Sequence, residues 1–394
     1  MKRTQLAILV LLVVVLGAAA VFLARRGATS WRSSTEQLPD KLVSLPINDV
    51  AQITIQQPKA QVNLRKKSDT WVVGERADYP ANFEMISTLI RKVWELKPVQ
   101  EVKVGPSQLG RLSLLQPGQG EKSGTLVDFK NADGKRLAAV LFGKKYLRES
   151  DQSFAQGRSF PAGRYVMPED GARHVSLVTD AFQQIDEQPE RWLDRDFIKI
   201  EKPTSIAVAG TDPGMNWKLE KDPASKEWRR ANANPEEKLD ETKASQIANS
   251  IGSITSFSDV LAPDAKPETT GLDKPVTFTI TTEDGFTYTL NVGRKKDESY
   301  PLMVAVSADL AGERPAAKEE TAEEKTKKGK EFQKSRETLE KKLAKEKKFE
   351  GRTFLVPKFG IEKLEKNRSD LLAPKPTPTP SPSPAAQLTK PNPK

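Results

Sequence analysis

Cysteine is absent from this chain, and only one histidine, His174, occurs in its 394 residues. Without thiols there is no disulfide, no thiolate zinc site and no cysteine nucleophile. The absence assigns no compartment. One imidazole cannot build a multi-histidine metal centre, and no Glu-x-x-His pair accompanies it. A Ser-His-Asp triad would have to use His174, yet no Gly-x-Ser-x-Gly turn supplies the nucleophile. His174 therefore reads as an ordinary surface or helix-start residue. No Walker-type phosphate loop is present. The glycine cluster Pro117-Gly118-Gln119-Gly120 reads as a loop, not as the start of a helix after a strand.

Carboxylates are plentiful, so a glycosidase-like pair stays open on sequence grounds. Asp133 and Asp284 are more simply turn residues, each followed by glycine. Asp194 and Asp196 flank Arg195, which is a ready ion-pair partner for one of them. No catalytic, cofactor-binding or metal-binding residue is assigned, and no cofactor is expected. The net charge is +10, with Lys and Glu interleaved. This predicts a solvated surface with a mild attraction to anionic lipid or polymer. No aromatic-plus-basic motif accompanies the charge, which argues against nucleic acid as a partner. Oligomeric state is left open.

The middle of the chain is written twice. Ile53-Thr-Ile, Trp71 and the ladder Ile86, Ile90, Val93, Leu96, Val99 recur as Ile206-Ala-Val, Trp228 and Ile247, Ile251, Ile254, Phe257, Val260. Leu115-Gln-Pro117, Asp133-Gly134 and Leu141-Phe-Gly143 recur as Leu272-Asp-Lys-Pro275, Asp284-Gly285 and Asn291-Val-Gly293. Tyr165-Val-Met-Pro168 is matched with Phe354-Leu-Val-Pro357. Matched tryptophans are read as core anchors. The predicted fold class is α+β, with two tandem related units, each an antiparallel sheet with packed helices, on one N-terminal transmembrane helix.

The expected organisation follows. Residues 1–26 form a membrane anchor, since residues 6–23 are an uncharged run of eighteen, close to the length that crosses a hydrocarbon core. Cleavage near Ala18-Ala19-Ala20 is disfavoured because Val21-Phe-Leu23 and two arginines follow. Residues 27–46 are a stalk, 47–200 the first unit and 201–373 the second. Alternation predicts strands at residues 52–56, 61–65, 70–73, 125–130 and 136–142, then a late strand at 164–167. Period 3.6 predicts a helix over 82–97, with Phe83, Ile86, Ile90, Val93 and Leu96 on one face, and a shorter one around 172–185. In the second unit strands are expected at 217–220, 227–230, 276–282, 286–292 and 353–356. Asp240 is the candidate cap of a helix through Phe257, and a final helix is expected over 359–372.

Two segments break the symmetry. Residues 312–349 are dominated by Lys, Glu, Ala and Thr, with i,i+4 pairs such as Glu323 with Lys327, Glu324 with Lys328 and Glu337 with Lys341. The thin stripe Phe332, Leu339, Leu343, Phe349 fits either an exposed, partly helical arm or a coiled-coil docking arm. Residues 374–394 are proline-rich and read as an extended tail.

Together these features resemble the bacterial family known as domain of unknown function 4340. The resemblance rests on Trp71, Pro80-Ala-Asn82, Gly271-Leu-Asp-Lys-Pro275, a hairpin ending at Gly293, Phe354-Leu-Val-Pro357 and Ser369-Asp-Leu-Leu372. It spans roughly residues 45–373 without the charged insertion. The first copy departs from the pattern, with Leu114-Leu-Gln-Pro117 where the second has Gly271-Leu-Asp-Lys-Pro275. Membership implies a protein of the cell inner membrane, its bulk extracytoplasmic, partnered with ABC-type export complexes similar to gliding-motility transporters. It carries over no catalytic residue. A non-enzymatic accessory protein is thus expected, with a carboxylate-based envelope hydrolase or a structural envelope scaffold as alternatives.

Overall fold

The computed structural model describes residues 38–149, 159–171, 174–231, 237–314 and 320–374. The apolar run at residues 6–23 and the tail beyond residue 374 lie outside them. No described helix is long and apolar enough to cross a membrane. The chain divides into two compact units. The first runs to Gly74 and resumes over Pro80–Trp192; the second comprises Glu75–Tyr79 and the chain from Leu193 onward.

The first unit opens with β1 (Gln52–Gln56), β2 (Gln61–Lys67) and β3 (Thr70–Val73). After the two-residue β4 (Tyr79–Pro80) comes helix α1 (Phe83–Trp94). Then follow β5 (Gln100–Val102), β6 (Thr125–Lys130), β7 (Arg136–Glu149), β8 (Ser159–Pro168) and β9 (Val175–Val178). The sheet order is β4-β3-β2-β1-β6-β7-β8-β9-β5. Alternation sets its faces: Ile53, Ile55, Val62, Leu64, Val127, Phe129, Val140 and Phe142 are completely buried, while Thr54, Asn63 and Gln56 stay partly solvated on the other face.

The second unit has β10 (Pro203–Ala209), β11 (Trp217–Lys221), β12 (Trp228–Arg230), helix α2 (Glu241–Ile251) and β13 (Asp259–Val260). It continues with β14 (Val276–Thr282), β15 (Phe286–Val292), β16 (Ser299–Ala308), helix α3 (Ala322–Glu346) and β17 (Thr353–Pro357). Its order is β12-β11-β10-β14-β15-β16-β17-β13. Matched strand for strand, this is the order of the first sheet without β4. Both units make a three-strand meander, a capped helix, a short strand at the far edge, then four sequential strands.

The copies agree in finer detail. Asn82 accepts the Met85 N–H at 3.0 Å and starts α1; Asp240 accepts the N–H groups of Thr242 and Lys243 and starts α2. The backbone N–H of each cap donates to the end of its own unit: Asn82 to Trp192 O at 2.7 Å, Asp240 to Leu371 O at 2.9 Å. Trp71 and Trp228 are both buried on matched strands. Both hairpins turn on a glycine with positive φ, Gly134 (+79°) and Gly285 (+83°). Gly143 and Gly293 leave room for a matched loop, whose leucine is Leu114 in the first unit and Leu272 in the second.

Several expectations are corrected. The partner of Tyr165-Val-Met-Pro168, which ends β8, is β16, not Phe354-Leu-Val-Pro357; that segment is in β17 and matches β9. The helix expected at 172–185 begins instead with strand β9, because β5 and β8 hydrogen-bond to both its edges. On α1, Leu89 replaces Ile90 in the buried set, and Phe83 is 66% exposed. Helix α2 stops at Ile251, and Ile254, Phe257 and Val260 are buried in the irregular chain and β13 that follow. The Ser250 and Ser253 hydroxyls there donate to Gln246 O and Ser250 O, in competition with the helical ladder. The final helix reduces to a turn at Lys358–Ile361 and a 3-10 turn at Arg368–Leu371.

Within the charged insertion, Ala322–Glu346 is one long helix. Thr321 and Glu324 form a reciprocal capping box at its start. Glu324 is hydrogen bonded there, and Lys328 meets Glu320, which Arg314 first and then Lys328 hold down at a pKa of about 2. Its apolar stripe packs on a sheet and not on a second helix among the described residues: α3 lies against β16. Gly329, Phe332, Arg336, Leu339 and Leu343 are half-buried on that face, and Glu346 and Phe349 are buried. Phe349 joins an aromatic cluster with Phe197, Phe257, Phe354 and Tyr79, whose ring centroids are 4.9–5.9 Å apart. Such pairs contribute about 0.5–1.5 kcal/mol each beyond burial. The excursion Glu75–Tyr79 brings Tyr79 to this cluster and Arg76 to Asp259, a bidentate pair at 2.6 and 2.9 Å.

A Cβ on Gly143 would sit 2.4 Å from Leu112 O, and one on Gly293 2.2 Å from Thr270 O. Gly143→Ala and Gly293→Ala should each lower stability by about 1–3 kcal/mol, through forced backbone shifts, in urea unfolding. Gly105→Ala, at φ −77° with no neighbour within 4 Å of its Cβ, should leave the midpoint unchanged.

Candidate functional site

A depression of about 800 Å³ lies in the second unit, between α2 and the segment that closes the unit. The Asp240 cap fixes where α2 begins. The opposite wall is held by the Trp217 indole, which donates to Lys366 O at 2.8 Å, and by the Asp240 N–H to Leu371 O. Buried Ile247 and Leu371 contribute apolar lining. Lys243, Lys363 and Lys366 line it with one carboxylate residue, Asp370, and the Lys243 ammonium also lies 3.8 Å from the Asp240 carboxylate. Lys243 Nζ donates to Leu372 O at 3.2 Å, and Asp370 accepts the Asn367 N–H at 3.0 Å. Gln246 and Asn249 add exposed amides.

The chemistry of this groove is that of binding. Its net positive charge suits an anionic group, and its amides suit hydroxyl or amide neighbours. The Ser250 and Ser253 hydroxyls face backbone carbonyls at 2.7 and 2.5 Å, so neither is held by a general base. Two smaller depressions also carry single carboxylates. Glu350 lines one of about 460 Å³ and accepts the Val306 N–H; Asp128 lines one of about 270 Å³ and is held by Arg136 at 2.9 Å. Among the described residues, no group of three or more His, Asp or Glu is placed to hold a metal ion.

The residues singled out in the sequence lie apart from the groove. His174 is a surface residue whose Nδ1 is 3.4 Å from Glu101. Asp133 and Asp284 sit in hairpin turns. Arg195 donates to Phe257 O and Ser258 O, both at 2.8 Å, and lies over the Phe257 ring. Asp196 pairs with Lys345 at 2.8 Å. Residues 117–120 form a loop with positive φ at Gly118 and Gly120.

Besides Asp128 and Arg230, the buried or half-buried charges that went unnoticed in the sequence include three more. Glu346 is 3% exposed; its oxygens accept from Lys199 N–H at 3.0 Å and Tyr288 O–H at 2.7 Å. Burial first, then this hydrogen bond, push the Tyr288 pKa up. Arg164 is buried in the first unit without a carboxylate. It donates to Gly143 O and Phe182 O, and burial lowers its pKa to about 10. Glu365 accepts from Tyr300 at 2.9 Å, and desolvation raises its pKa, with Glu362 adding to the effect. Helical and strand periodicity is blind to all three, because each is a polar residue placed where the pattern allows solvent.

Glu346→Leu leaves the Lys199 N–H without its acceptor and the Tyr288 hydroxyl with only the longer contact to Lys199 O at 3.3 Å. It should cost about 2–4 kcal/mol in urea unfolding, and Glu346→Gln, which keeps one acceptor, should cost less. Glu365 has a folded pKa raised above 4.5, so the folded chain takes up its proton first as pH falls. Its ionisation therefore opposes folding as pH rises through the raised value. Glu365→Gln should gain stability relative to the parent as pH rises from 4.5, measured as urea midpoints across that window; a constant difference would contradict the assignment.

The family described as Domain of unknown function (DUF4340) matches residues 71–275, just over half of the chain. This is narrower than the 45–373 expected from the motifs. It begins at Trp71 in β3, takes in both capped helices, and ends at Pro275 before β14. No curated protein and no solved structure matches the chain. On the family match, the chain belongs to the DUF4340 family.

Proposed function

We propose that this protein is a non-enzymatic accessory protein of the cell inner membrane. In this reading residues 6–23 form a single span, and the two units lie on the extracytoplasmic, periplasmic side. The partner is an ABC-type transport complex or another envelope component that presents an anionic surface. The supporting sequence feature is the uncharged run of eighteen residues. The observation that carries the binding role is the groove of the second unit, where three lysines meet one carboxylate and both hydroxyls are bound to carbonyls. Such a wall attracts and orients an anion but activates no nucleophile. The hydrolase alternative needs two carboxylates facing one cleft, and the three depressions described above offer one each.

The test is recovery of the tagged full chain from membranes in mild detergent. The reading expects co-purification of a membrane complex with an ATPase subunit, or of an anionic envelope polymer. A Lys243→Glu, Lys363→Glu, Lys366→Glu variant that keeps its circular dichroism spectrum should lose that partner at least about tenfold. Recovery of the parent alone in repeated extractions, or undiminished capture by the variant, contradicts the reading.

A further inference from the structure

The second unit carries an element that the first lacks. Between β16 and β17 it inserts α3, while the matched strands β8 and β9 are joined without a described helix. The rotation of α3 about its axis is fixed from inside. Arg336 donates to Gly312 O at 3.0 Å, Lys342 to Lys199 O at 2.8 Å, and Glu346 is buried against Tyr288. At about 100° per residue, the strip within about 40° of the line opposite Phe332, Leu339 and Leu343 holds five lysines, Lys327, Lys330, Lys334, Lys341 and Lys345, and two glutamates, Glu323 and Glu337. All five are exposed. They span about 27 Å of helix at 1.5 Å per residue. Lys345 reaches Asp196, and Glu323 stands at the N-terminal end of the strip, beyond the lysines. Residues 322–348 hold eleven basic and six acidic side chains, so this short stretch contributes half of the chain's net charge of +10.

We infer that this lysine ridge rests on the surface of an anionic phospholipid leaflet. A ridge on a convex helix encloses nothing, so it fits a plane of charge better than a soluble ligand. Every cation on it is a lysine, a hydrated point charge suited to diffuse attraction, where bidentate recognition of a single phosphate would favour arginine. It shows no aromatic side chain on which a base or sugar would stack; Phe332 faces inward. The ridge is separate from the groove and uses none of its residues. The inference deepens the membrane-attached reading proposed above and rests on it only in needing a leaflet within reach.

The full chain is mixed with vesicles of phosphatidylcholine alone or blended with phosphatidylglycerol, and the rate of amine labelling at each lysine is read by mass spectrometry. Flotation with phosphatidylcholine vesicles reports the span at residues 6–23, whatever the ridge does. The ridge inference expects Lys327, Lys330, Lys334 and Lys341 to label about threefold or more slowly on the anionic vesicles, with recovery at high salt. Lys330→Gln, Lys334→Gln, Lys341→Gln, at exposed positions, should keep the helical signal and lose the slowing at Lys327. Equal labelling on both vesicles overturns the inference, as does slowing that survives high salt. Protection by soluble polyphosphate without protection by phosphatidylglycerol also overturns it.

Discussion

Glu346 is a carboxylate in a place where an unpaired anion would be expelled. It is 3% exposed, at the last turn of α3, against the hydroxyl of Tyr288. Burial of a charge is tolerated only when its oxygens are hydrogen bonded, and here both have partners: the Lys199 amide and the Tyr288 hydroxyl. Three residues on, Phe349 enters the cluster of Phe197, Phe257, Phe354 and Tyr79. These polar and aromatic contacts leave α3 one rotation about its axis. That rotation places Phe332, Leu339 and Leu343 toward the sheet and the lysine row away from it. Without this anchor the insertion would be the free arm that its composition suggests.

The two units show how a duplicated fold diverges. What is shared is local and backbone-driven: the meander, the asparagine or aspartate cap, the glycine turns and the matched tryptophans. What differs is the buried charge. The first unit hides Arg164 among carbonyls and the Phe142 ring, where β7 and β8 lose register. The second hides Glu346 and adds α3 between β16 and β17. Both surfaces proposed for binding, the groove and the ridge, belong to the second unit.

Much of this was legible in the chain itself, in proportion to how local the cause is. Phe278 and Ile280 alternate against Phe286, Tyr288, Leu290 and Val292 clearly enough to place β14 and β15, and the Asp240 cap could be read before α2 was seen. β16 went unseen, because Pro301 interrupts its apolar run; the strand tolerates it since Pro301 contributes only a carbonyl, to Gly293 N–H. β9 read as helix because its strand form depends on neighbours on both edges. The groove was illegible for a similar reason: Lys243 and Lys366 are far apart in sequence and meet only through Trp217 and the Asp240 cap. Glu346 was lost among the alternating Lys and Glu of the insertion, where nothing marks one glutamate as buried.

The central claim is that α3 is part of the second core and not an appendage. Hydrogen exchange of the full chain tests it most directly. The account expects the amides of the last two turns, around Leu339 to Glu346, to exchange as slowly as those of β15, while the first turns after Thr321 exchange quickly. Fast exchange along the whole helix, with β15 still protected, would contradict it.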